Sequence, residues 1–231
     1  MNFDNFNQLV EENTNKSINI LKETYLEKEV LKFKSFIKTI NKYYTGLEVL
    51  FRKLDKNSNQ NKLLNNILMD LCSLIHCVIL SDKKLIYFIY RNIIESILRY
   101  ISNDINSKNL DNLFNQLVKS EEGFEKELIN KYKGQLKEIY TESCRYVHTD
   151  ITKIDTLLTT LTQYKSNSSN NNLKNEEKIL KQLSCAIIAL LKIKYRDNYE
   201  LLRSNSKGYL DDILPLDIRI EYTKFLLKKY Q

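Results

Sequence analysis

Apolar positions along this chain recur at intervals of three and four residues with few interruptions, a pattern that predicts helices from end to end. Leu31, Phe33, Phe36, Ile37, Ile40, Tyr44, Leu47 and Leu50 follow that spacing within an N-terminal helical region from about Asn5 to Leu54, where Gly46 is a possible break. The polar run KNSNQNK (56–62) reads as a connector. The next segment, Leu63 to Leu80, is apolar on most of its faces and is expected near the centre of the core. SDKK (81–84) reads as a short turn, with Ser81 or Asp82 capping the following helix. That helix, about Lys83 to Asn103, gathers Ile86, Ile89, Tyr90, Ile93, Ile94, Ile97 and Ile101 on one broad face. Arg91, Glu95 and Arg99 form a row at its margin. A shorter helix near Leu110 to Val118 precedes a long one from about Phe124 to His148. The inner face of the long helix holds Leu128, Tyr132, Leu136, Ile139, Ser143 and Val147. SNSSNNNLKN (166–175) reads as a low-complexity loop. A last long helix is expected from about Glu176 to Ser204, broken by SNSKG, with Pro215 near the start of a C-terminal helix.

Composition strengthens the helical reading. Of 231 residues only one is Pro and four are Gly, whereas sandwiches and barrels need turn residues every few positions. With 42% apolar residues the chain can build a core. The expected fold is therefore an all-α helical bundle. Its organisation is an N-terminal helical extension (1–56), a bundle (62–204) and a C-terminal helix (209–231) packed on the bundle. The formal charge of +7 and a pI of about 9.0 raise the question of nucleic acid. Only seven of the 36 basic residues are Arg, however, and the lysines are spread over every segment, as solvated helix faces would have them. Cys72, Cys77, Cys144 and Cys185 form no regular framework. The polar, acidic start MNFDNFNQLVEENTNK is unlike a secretory leader. The longest apolar stretch, near Leu71 to Leu80, is interrupted by Ser73 and His76 and is short for a bilayer. The expectation is a reduced, cytoplasmic setting with no membrane partner.

Chemistry has few candidates. There is no Gly-rich phosphate loop, no Ser-His-Asp spacing and no CxxC pair. Of the two histidines, His76 lies in the most apolar segment and reads as a core residue. His148 falls to the side of its helix's apolar stripe, on a flank shared with Thr141, Cys144 and Arg145. An Arg and a His one turn apart can grip a phosphate. The alternative is an exposed pair whose positive charge complements a helix C-terminus. Each histidine also follows a Cys by four residues (Cys72 and His76, Cys144 and His148), a spacing compatible with zinc. Buried cysteines beside apolar stripes are the commoner arrangement, so no metal or other cofactor is expected. Arg91 and Glu95 read either as a helix-surface ion pair or, at the edge of so apolar a face, as a part-buried pair with bidentate geometry.

YRNIIESILRYI (90–101), followed about forty residues later by YTESCRYVHTD (140–150), resembles the HEPN-like helical superfamily. Its members often carry an Arg and a Glu on one core helix. A later helix ends in Tyr-x-x-x-(Ser or Cys)-x-x-Val-His, matched here by Tyr140, Cys144, Val147 and His148. The resemblance covers about residues 62–204. It implies a four- to five-helix bundle that often dimerises, and in many members a metal-independent ribonuclease whose Arg and His meet at the dimer interface. Carried over, His148 is the family histidine and Arg145 the arginine. The spacing departs from the family, which places about four to six residues between them; here there are two. Arg91 on the neighbouring helix is the candidate for the missing cation. The resemblance thus leads to two expectations. One is a ribonuclease of a bacterial defence or toxin system, with His148, Arg145, Arg91 and Glu95 converging in one cleft. The other is a non-catalytic interaction module that binds a partner protein or nucleic acid.

Overall fold

The computed structural model describes residues 3–54, 58–107, 109–119, 122–147 and 170–229. Among them eleven helices and no strand form, and 86% of the described residues are helical. In chain order these are α1 (Phe3–Lys22), α2 (Glu27–Lys32), α3 (Lys34–Phe51), α4 (Ser58–Ile79), α5 (Lys83–Ser102), α6 (Leu110–Gln116), α7 (Gly123–Val147), α8 (Asn170–Lys194), α9 (Arg196–Glu200), α10 (Ser204–Ile213) and α11 (Leu216–Lys229).

Local signals set several of these ends. Ser81 turns the chain with φ at 56°, and the Asp82 carboxylate accepts from the Leu85 N–H at 3.0 Å, starting α5. At the other end Asn103 adopts φ 53°, and the Asp104 N–H reaches the Arg99 carbonyl at 3.2 Å, closing the last turn in a Schellman arrangement. Asn109 caps α6 by accepting from the Asn112 N–H at 3.0 Å. Leu214, extended at φ −83° and ψ 141° ahead of Pro215, ends α10 and lets α11 begin.

Five helices close a ring: α3 packs on α4, α4 on α5, α5 on α7, α7 on α8, and α8 back on α3. The α3 segment, read from sequence within an extension, is thus one wall of the ring. Inside it Leu71, Ile75, Ile93, Ile97, Leu136 and Ile139 are buried together, with Leu68 partly buried at their margin. One apolar core runs from Phe6 on α1 to Phe225 on α11. Outside the ring, α6 leans on α5, α1 covers α3, α10 packs on α1 and α3, and α11 bridges α7 and α8. A polar pin joins the C-terminal helices. Lys192, 1% exposed, bonds the Asp211 carboxylate while its ammonium lies 4.4 Å from the Tyr199 ring centroid and 4.1 Å from that of Tyr222.

Four expectations are corrected. α4 does not lie at the centre. Gln60–Ile79 has a mean hydropathy of 1.4 and is long enough to cross a membrane, yet only 56% of it is buried. Its outer face exposes Met69, Cys72, Ser73 and His76, and Leu80 just past its end is exposed as well. His76 is consequently a surface residue, its Nδ1 3.0 Å from the Tyr25 hydroxyl. Gly46 does not break its helix. It lies buried within α3, where an added Cβ would stand 2.5 Å from Cδ1 of Ile213. The last long helix starts earlier and ends earlier than expected. Residues 170–175 are already helical, the break falls at Tyr195, and SNSKG opens α10. Residues 166–169 lie outside the described residues.

Candidate functional site

The margin of α5 facing α7 carries a row of three charges. The i, i+4, i+8 spacing stacks Arg91, Glu95 and Arg99, and Glu95 serves both neighbours. Its Oε1 accepts from Arg91 Nε at 2.8 Å and its Oε2 from Arg99 Nη2 at 3.1 Å. The side chains are 25%, 14% and 26% exposed for Arg91, Glu95 and Arg99, so the pair is part-buried rather than a solvent-exposed bridge. Arg99 Nε is buried without a hydrogen-bond partner. The Glu95 carboxylate raises the affinity of the Arg91 guanidinium for its proton above the ordinary value.

α7 supplies the opposite wall. The Tyr140 hydroxyl donates to Glu95 Oε1 at 3.5 Å, and Arg91 Cζ lies 5.8 Å from the Tyr140 ring centroid. Burial, and then Cys144 one turn on, push the Tyr140 phenol above its ordinary pKa. Beyond Tyr140 lies Phe114 of α6, its ring centroid 6.2 Å away at 68°. Between α6 and α7 opens a groove of about 780 Å³ bordered by Asn109, Leu110, Asp111, Phe114, Lys137, Tyr140, Thr141 and Cys144. A second open depression of about 450 Å³ lies on the outer side of α7, with Gly134, Glu138, Glu142 and Arg145. The two share a rim, because Lys137 and Thr141 border both.

The structure therefore brings Arg91 and Glu95 together and adds Arg99 and Tyr140. Arg145 is exposed on the neighbouring flank of α7, across the shared rim. His148 lies outside the described residues. Of the four residues weighed as zinc ligands, Cys72 and His76 sit on the outer face of α4. Cys144 sits a turn from Tyr140 on α7.

The last turn of α7 is anchored on α5. The Tyr146 ring stacks on Tyr87 at 3.9 Å and 7°, and the Tyr87 hydroxyl donates to Glu142 at 3.1 Å. Next to them Tyr90 donates to the Glu176 carbonyl at 3.1 Å. The Glu176 side chain is 5% exposed, and its Oε2 is buried without a partner. Burial raises its pKa to about 7 against the opposing pull of Lys83, and the Glu142 charge adds to the rise. Sequence reasoning missed this carboxyl. The signal was its register: Leu173, Glu176, Leu180 and Leu183 follow one helical stripe, which puts Glu176 on the inner face. Tyr140 entered only as a motif position, and nothing in its local sequence pointed to Phe114.

No protein-family model, curated protein or solved structure matches the chain.

Proposed function

We propose that this chain is a HEPN-like protein of a bacterial defence or toxin system that acts in the cytoplasm as a metal-independent ribonuclease. The observation that carries the reading is Arg91, oriented by Glu95 and resting on Tyr140 of the helix whose end bears Arg145 and leads to His148. In this scheme the His148 imidazole takes the proton of a ribose 2′-hydroxyl, and the oxygen attacks the adjacent phosphorus. The leaving 5′-oxygen takes a proton from water, the His148 imidazolium returns its own to solvent, and a 2′,3′-cyclic phosphate remains. Arg91 and Arg145 offset the charge on the phosphorane oxygens, while Glu95 holds Arg91 in plane. Two copies of the chain would pair to complete the cationic groove, and a partner protein from the same locus would restrain the activity.

The test is incubation of single-stranded RNA with purified protein in EDTA. Cleavage leaving cyclic phosphate ends is expected, lost in His148→Ala and reduced at least tenfold in Arg91→Ala, with both variants retaining the wild-type helical circular dichroism. No cleavage by the wild-type chain, or cleavage only after magnesium is added, sinks the reading.

A second reading is a non-catalytic module that binds a partner protein. What favours it is that Glu95 is already neutralised by two arginines of its own helix, so the charged group is balanced within α5 itself. Under this reading Glu95→Ala lowers the unfolding midpoint, and His148→Ala changes no activity.

A further inference from the structure

The groove between α6 and α7 has a chemistry of its own beside the Arg91–Glu95 pair. Its volume of about 780 Å³ lies within the range of small-molecule sites, roughly 300–1,000 Å³. One wall is aromatic. Tyr140 borders the groove, Phe114 meets it close to edge-on at 68°, and the Arg91 guanidinium lies near its ring. The tyrosine is half-buried, and its ring is held by packing against Phe114 more than by the long 3.5 Å contact of its hydroxyl with Glu95. The rim is polar but neutral on balance: Lys137 and Asp111 pair at 3.0 Å, flanked by Asn109 and Thr141. A bare phosphate would meet the Asp111 carboxylate there, and an apolar peptide segment would bury the ion pair without compensating it. A flat heteroaromatic ring with donors and acceptors on its edge suits both wall and rim.

We infer that this groove takes an unpaired nucleobase of a single-stranded RNA, stacked on Tyr140, with the strand crossing the rim at Thr141 toward Arg145. The inference rests on the RNA reading given above and adds to it a base-binding subsite on this chain's own residues, held by stacking rather than by phosphate alone. A duplex keeps its bases stacked on one another and has no free ring to offer.

The experiment measures binding without cleavage, using fluorescein-labelled hexamers of 2′-O-methyl uridylate and adenylate, which lack the attacking hydroxyl. With the full chain, fluorescence anisotropy should show single strands binding more tightly than a duplex of the same length. Tyr140→Leu should weaken single-strand binding roughly ten- to hundredfold, the range expected for one lost base–aromatic stack. Tyr140→Phe, which keeps the ring, should stay within about threefold of wild type. Thr141→Gln is a neutral, longer side chain on the exposed rim that leaves the core untouched; it should weaken binding at least about fivefold. Adenosine should displace the probe, and inorganic phosphate at the same ionic strength should not. Unchanged binding in both Tyr140→Leu and Thr141→Gln, or displacement by phosphate as effective as by adenosine, overturns the inference. Binding that responds to these variants without any cleavage of unmodified RNA keeps the inference and removes the ribonuclease. Cleavage alongside unresponsive binding does the reverse.

Discussion

Glu95 divides its carboxylate between Arg91 and Arg99, so its removal takes an anionic partner from two part-buried guanidinium groups at once. Glu95→Ala should therefore lower stability by roughly 1–3 kcal/mol in urea unfolding, well above the value of an exposed pair. A change below about half a kcal/mol would show that water already screens the three groups. Glu176 makes the opposite kind of contribution. Its folded pKa of about 7 lies above the ordinary 4.5, so the folded chain holds a proton that the unfolded chain releases. Stability from this residue is complete below about pH 4.5 and declines as pH rises toward 7, with roughly 3 kcal/mol as the ceiling on the loss. Glu176→Gln should be close to neutral at pH 4.5 and stabilising at pH 8; equal effects at both values would mean that the carboxyl finds water. Neither role is written plainly in the sequence. The row of Arg91, Glu95 and Arg99 was visible from spacing, but its burial depended on Tyr140, which arrives from α7, forty-five residues beyond Glu95. Within NNNLKNEEK nothing marks the first Glu as the inward one except its register with leucines on either side.

At the scale of elements, two glycines inside helices make opposite demands. Gly46 lets α3 approach α10, and a methyl group there collides with Cδ1 of Ile213. Gly46→Ala should cost roughly 1–3 kcal/mol, and Ile213→Val, which removes the opposing methyl, should recover much of it. At Gly134 of α7 an added Cβ meets nothing within 4 Å. Gly134→Ala should therefore raise stability by roughly 0.5–1 kcal/mol through helix propensity alone. Thermal unfolding of the two variants should move in opposite directions, and a shift of the same sign would refute the packing of α3 on α10. α5 and α7 were readable because their apolar residues keep a single stripe and their ends carry caps or abrupt polarity. α4 misled because hydropathy counts apolar residues without saying which have a partner: Met69 and Leu80 are as apolar as Leu71 but face outward. The division of the last long helix was hidden for a different reason. Tyr195 holds φ −118° and ψ 43° without a Gly or Pro beside it, and the bend is imposed by packing of Tyr195 on Tyr100 and of Tyr199 on Tyr222.

For the whole molecule, helix content followed from the scarcity of Pro and Gly, but the order of the ring did not. Which helices touch is decided by partners far apart in the chain. Thr39 donates to Glu177 at 3.0 Å, and the Tyr43 hydroxyl meets the Cys185 thiol at 3.4 Å, across separations of 138 and 142 residues. If α3 is a wall of the ring, a chain beginning at residue 58 should lose its sharp two-state unfolding and bind a dye such as ANS through the bared faces of α4 and α8. A sharp transition with an unchanged midpoint would make α3 an appendage. The same seam has a consequence for the newborn polypeptide. α3 leaves the ribosome early and must wait for α8, and at about 5–20 residues per second some 140 residues take on the order of ten seconds or more. Through that interval the inner faces of α3, α4, α5 and α7 have no closing partner. The chain is then at its most exposed to chaperones and proteases, before it has made its first complete turn around the core.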